Sequence, residues 1–248
     1  MQIIPALAMF SPRQTNLALF AQMHEGGFAV SEIRRLQECY YVACGMFNGR
    51  YRKTGRPFIC HAVGVASSVA QFSSDPDMVV AGLFHAAYDS GQFPDGRNGK
   101  TSPAHRQWLS DVIGSRAEAI AARYLDFDFG AGVPESLSAN GFDEADSDLL
   151  FVALAHEIDD LADGGLALAP KYGASIASRV TSCTDLARRI GEDDLAGCLS
   201  LHGAWHEDHA WMRELQPDVL RGFRIVPRIC AYVRLRRAAS RGKNARFF

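Results

Sequence analysis

Apolar residues recur at intervals of three and four along most of the chain, and alternating apolar and polar stretches are nearly absent, so the pattern predicts an all-α fold. Ser31 precedes Glu32-Ile33-Arg34-Arg35-Leu36, and apolar positions continue to Phe47, which predicts a four-turn helix capped at Ser31 and closed by Asn48-Gly49. A basic, turn-rich stretch, Arg50 to Pro57, leads into a second helix over Cys60 to Phe72. Asp75-Pro76 is a helix start, and it predicts a third helix from Asp77 to Tyr88. Its run Val79-Val80-Ala81-Gly82-Leu83-Phe84 is apolar all round, so this helix is expected to be central and buried. A capping-box pattern, Ser115 with Glu118, predicts a helix to about Tyr124, and a further one spans Ser147 to Ala162. Segments near 173 to 190, 192 to 215 and 225 to 240 keep helical spacing. Two glycine-rich stretches, Gly91 to Ser102 and Asp126 to Asp146, are expected to be loops. Gly164-Gly165 divides the chain into a helical core, residues 1–165, and a C-terminal helical extension, 166–248, predicted to pack on it and to end in a basic tail, 219–248.

Composition narrows the class without naming a chemistry. Of 248 residues, 48% are hydrophobic and 22% charged, which suits a globular chain with a core and excludes disorder and collagen-like structure. No stretch approaches the ~18 uninterrupted apolar residues of a membrane span, and the N-terminal apolar run has no basic leader. The six cysteines are scattered with no C-x-x-C pair, so a reduced, cytoplasmic protein is expected. The net charge of -2 conceals an asymmetry: all 28 acidic residues lie before residue 219, while nine of the 26 basic ones lie after it. Those nine are interleaved with Ile229, Tyr232, Val233 and Leu235, so a closing helix paired with an acidic body is expected ahead of a nucleic-acid surface.

An ionisable residue in a buried helix must be paired or functional, because an unpartnered buried polar group costs roughly 1 to 3 kcal/mol. His85 is such a residue, with Asp89 four positions on, and His156 and Asp160 repeat the spacing. Two packed helices can thus present two imidazoles and two carboxylates to one point, a set suited to Zn, Fe or Mn or to acid–base work. The bland alternative is a pair of hydrogen-bonded core histidines. A second stripe, His202, His206 and His209, shares one helical face; it can bind Zn or an anion, or simply face solvent. Neither a phosphate-binding glycine loop nor a nucleophile elbow occurs.

The segment from Arg52 to Asp89 resembles a known family. Arg52-Lys53-Thr54-Gly55-Arg56-Pro57-Phe58-Ile59-Cys60-His61, then Asp75-Pro76-Asp77 and Ala81-Gly82-Leu83-Phe84-His85, looks like the HD-domain hydrolase part of the Rel/Spo family, which degrades guanosine tetraphosphate. The resemblance covers roughly residues 50 to 162. It implies an all-helical domain that binds one Mn ion through a first His, a His-Asp doublet and a distant Asp, and that hydrolyses a 3'-pyrophosphate. Carried over, Arg52 falls on a base-stacking arginine, His61 and His85 on two metal ligands, and Asp89 on the acid that helps the attacking water. The sequence departs from the family where Ala86 stands in place of the doublet's Asp, and where His156 and Asp160 stand in place of the second ligand Asp and an Asn. The chain also looks closer to an uncharacterised HD-related bacterial family than to a true alarmone hydrolase.

The resulting expectation is an HD-like helical core holding a small-molecule enzyme, most simply a metal-assisted hydrolase of a phosphorylated or nucleotide-like compound. His61, His85 and His156 would be the metal ligands, Asp89 and Asp160 the catalytic acids and bases, and Arg52 the substrate-binding group. A tri-histidine set is weaker for Mn than for Zn or Fe; the divalent metal would be one of these three, or none if the site is degenerate. The alternatives are a lyase, isomerase or oxygenase in the same pocket, or a metal-free binding or regulatory module. The expected partner is an anionic small molecule, not a membrane and not nucleic acid, with a homo-oligomer left open.

Overall fold

A computed structural model of the chain describes residues 10–97, 101–127, 143–163, 176–208 and 223–224. The all-α expectation holds. Helices α1 (Asn16–Glu25), α2 (Val30–Met46), α3 (Phe58–Phe72), α4 (Pro76–Phe84), α5 (Ala87–Ser90), α6 (Pro103–Ile113), α7 (Ser115–Tyr124), α8 (Glu144–Ala162), α9 (Val180–Arg189) and α10 (Asp193–Asp208) account for nearly all regular structure. Strands β1 (Arg50–Tyr51) and β2 (Phe223–Arg224) add one short antiparallel pairing, Arg50 opposite Arg224 and Tyr51 opposite Phe223.

Helix α3 is the spine, with every residue from His61 to Val69 buried, and it packs on α4 and α8. Asp75 caps α4 by accepting from the Asp77 amide at 2.8 Å, with Pro76 in the first turn, as the sequence suggests. Gly82 allows the two helices to close: a Cβ there would lie 3.0 Å from Val69 Cγ2 and 3.3 Å from the Ala66 Cα. Helix α4 packs further on α7 and α8, while α9 and α10 pair with each other and rest on α8. Apolar side chains of α2, α3, α4, α7 and α8, among them Leu36, Val63, Leu83, Ala121 and Leu154, form one buried core.

Several local expectations are corrected. Helix α2 begins at Val30, and the Glu32 carboxylate accepts from the Ala29 amide at 2.8 Å, so Ser31 is not the cap. Glu118 does not close a capping box. It is buried and accepts from the Tyr88 hydroxyl at 2.5 Å and from Arg106 at 2.8 and 2.9 Å. Helices α1 and α6 were not anticipated: α1 buries only Leu19 and Met23, and α6 only His105, Leu109 and Ile113, too sparse an apolar stripe to stand out. The predicted helix over 77–88 is broken at His85-Ala86, for a reason that lies in the site. The segment 225–240 and the tail 219–248, apart from β2, lie outside the described residues.

Candidate metal centre

Three imidazoles meet between α3, the end of α4 and α8. His61 projects from the first turns of α3, His85 follows the last residue of α4, and His156 lies in the C-terminal half of α8. Their ring centroids are 5.0 Å (His61 to His85), 4.9 Å (His61 to His156) and 5.1 Å (His85 to His156) apart. One ring nitrogen of each lies within 4.8 Å of the others, a group able to hold a metal ion. His61 and His85 are buried and His156 is partly exposed. Tyr124, at the end of α7, stands beside them with its ring 5.1 Å from His85 and 6.0 Å from His156.

The outward nitrogens all face oxygen. His85 Nδ1 lies 2.8 Å from the Gly82 carbonyl, which can only accept, so Nδ1 carries the proton and Nε2 the lone pair. His61 Nδ1 lies 2.7 Å from Asp159 Oδ2, and His156 Nδ1 a longer 3.4 Å from Glu157 Oε1. An acceptor behind each ring is the arrangement that turns metal-ligating histidines toward their ion. Burial, then the neighbouring Arg52 and the other two imidazoles, hold the His61 pKa well below its ordinary value. Burial and His156 lower that of His85 to about 3. Both rings are therefore neutral at physiological pH, the form that binds metal.

The bond from His85 to Gly82 also ends α4. In a continuing helix the Gly82 carbonyl would accept from the amide of residue 86; here the ring takes it, and Ala86 turns out of the helix with φ -100° and ψ 20°. The helical spacing that was to bring Asp89 onto the His85 face is thereby lost. Asp89 is exposed, accepts from the Ser90 hydroxyl at 2.9 Å, and belongs to neither metal-capable group. Helix α8 runs unbroken, so Asp160 keeps its expected place. It pairs with Arg52 through both guanidinium arms, the second at 3.0 Å, and lies 4.0 Å from His61 Nδ1. Arg52 NH1 is also 2.9 Å from that nitrogen.

Behind His61 sits a buried ion pair that helical spacing alone does not single out. Arg56 donates to both oxygens of Asp159, at 2.8 and 2.9 Å, and to the Cys60 carbonyl at 2.9 Å, with Asp163 at 3.5 Å. Both partners are buried. Burial pushes Asp159 up to about 6 against the pull of Arg56, and pulls on Arg56 while Asp159 raises it. His61, Asp159 and Asp160 form a second group of metal-capable side chains, already bridged by the two arginines. The signal was available: Asp159 lies three residues after His156, and the acids at 159, 160 and 163 meet Arg52 and Arg56 of the basic turn. Of the other histidine stripe only His202 is described: it is buried with Nε2 2.8 Å from the Phe10 carbonyl, while the side chain of His206 and the whole of His209 lie outside the described residues.

Residues 46–128 match a family described as a domain of unknown function (DUF6817). The chain is 32% identical over 84 residues to a GTP pyrophosphokinase of Streptomyces coelicolor, covering 34% of this chain and 10% of that protein. It is 32% identical over 63 residues to a GTP pyrophosphokinase of Streptomyces antibioticus, covering 25% and 8%. It is 37% identical over 54 residues to the bifunctional (p)ppGpp synthase/hydrolase SpoT of Escherichia coli, covering 22% and 8%. The matched stretch thus spans about a tenth or less of these relatives, a partial similarity to nucleotide-metabolising enzymes. Among the described residues no helix is long and apolar enough to cross a membrane.

Proposed function

We propose that this chain is a metal-assisted hydrolase of a phosphorylated, nucleotide-like compound. The observation that carries the reading is the convergence of His61, His85 and His156, each with an oxygen behind Nδ1. Three imidazoles fit a borderline divalent ion and bring no carboxylate charge to offset it, which favours Zn or Fe over Mn. Such an ion, held by His61, His85 and His156, would supply an activated water and polarise a phosphoryl oxygen. The chain's own groups bind and orient. Arg52 holds an anionic substrate group by exchanging one guanidinium arm from Asp160, and the Asp160 carboxylate so released accepts a proton from the nucleophile. Asp89, outside the cluster, has no part in this scheme. The likeness to nucleotide-metabolising enzymes supports the substrate class.

Elemental analysis of the purified protein should find about one Zn or Fe per chain, lost in His85→Ala with helicity retained. Phosphate or pyrophosphate release from a panel of nucleoside polyphosphates should follow metal loading. Sub-stoichiometric metal in native and reconstituted protein would remove the metalloenzyme reading. Metal without turnover would move the assignment to a lyase, an isomerase or an oxygenase.

A further inference from the structure

The buried Arg56–Asp159 pair has no direct place in the scheme above, and its construction is costly. Taking a guanidinium and a carboxylate out of water loses solvation that their attraction barely recovers, and apolar residues of similar volume usually serve stability as well or better. The fold also gives up a side chain to admit it. A Cβ on Gly64, in the middle of α3, would lie 1.8 Å from Asp159 Oδ1 and 2.7 Å from an Arg56 nitrogen. Glycine is a poor helix former, so α3 is weakened locally where the pair passes.

What the pair gains is a fixed oxygen. Arg56 donates to each carboxylate oxygen of Asp159, and Oδ2 also lies 2.7 Å from His61 Nδ1. The same nitrogen lies 2.9 Å from Arg52 NH1, and one ring nitrogen cannot donate to a carboxylate and accept from a guanidinium at once. Arg52 already has in Asp160 an acceptor for each of its arms, whereas an ionised Asp159 offers only lone pairs and can bond Nδ1 only if that nitrogen carries the proton. We infer that Asp159, locked by Arg56 across Gly64, is a positioning residue that keeps the His61 proton on Nδ1 and so presents Nε2 to the ring nitrogens of His85 and His156. The consequence for metal binding rests on the reading above; the placement of the proton does not.

The tautomer is read directly from long-range proton–nitrogen correlations of uniformly labelled, metal-free full-length protein, with His61 assigned by its loss in His61→Gln. The wild type should show His61 neutral with the proton on Nδ1. In the double variant Arg56→Met/Asp159→Leu, which replaces the ion pair with apolar groups of similar size, the proton should move to Nε2, with Arg52 now donating to Nδ1. Thermal stability should be kept, while zinc affinity falls about 10- to 100-fold. A wild-type proton on Nε2, or an unchanged tautomer in the folded double variant, overturns the inference. The wild-type spectrum needs no variant, so a double variant that fails to fold still leaves a decisive result. Wild-type protein that binds no zinc but holds the proton on Nδ1 would sink the metalloenzyme reading and leave the positioning role standing.

Discussion

Gly64 sets two opposing effects against each other. Alanine at a helix interior normally gains about 1 kcal/mol over glycine. Here its methyl would land on the Asp159 carboxylate, and breaking a buried ion pair costs about 3 to 5 kcal/mol. Gly64→Ala should therefore lose about 2 to 4 kcal/mol in urea denaturation; a gain would show that the pair relocates freely. His85 carries a different double load, one face to the cluster and the other to the Gly82 carbonyl. Its two contacts explain why His85→Ala is expected to lose metal and also to let α4 run on toward Ala87.

Among the elements, the α6–α7 contact is held by Glu118, which joins Arg106 of α6 to Tyr88 of α5. Burial alone would raise the Glu118 pKa; the bonds from Arg106 and Tyr88 outweigh it and hold the carboxyl below its ordinary value. A carboxylate lowered on folding stabilises the fold above its unfolded pKa, about 4.3, and that stability is lost as pH falls through the folded value. Glu118→Ala, which also strands the Tyr88 hydroxyl, should cost about 1 to 3 kcal/mol at neutral pH, and the gap to wild type should narrow below about pH 4. A gap that stays constant with pH would assign the loss to packing alone. Elements are also where the limits of the sequence show. Long apolar runs such as Val79 to Phe84 and strong starts such as Asp75-Pro76 fix α3, α4 and α8 in advance, because burial on every side leaves no other reading. Spacing misplaced Asp89, since a buried histidine that takes the carbonyl three residues back breaks the helix without leaving a mark in the apolar pattern.

Across the whole molecule, the histidine triad was legible because His85 closes an apolar run, His156 repeats its spacing to an acid and His61 falls on a ligand position of the family the segment resembles, whereas Arg56 and Asp159 were hidden among ordinary surface-type charges and become visible only when the turn before α3 is brought against α8. The cluster draws on residues 61 to 156, so a chain ending at residue 218 should keep its metal stoichiometry. It loses β2, the partner of β1, and with it the support of the turn that carries Arg52, so binding of inorganic pyrophosphate should weaken several-fold by calorimetry. Removal of 241–248 alone should leave that binding unchanged.

The β1–β2 pairing sets a timetable as well. Tyr51 meets Phe223 only after 171 intervening residues have been made. During synthesis at about 5 to 20 residues per second, the helices that gather the imidazoles emerge several seconds before the strand that braces the arginine turn. A ribosome-bound chain stalled short of Phe223 would thus assemble its three histidines while the turn carrying Arg52 still lacks its strand partner.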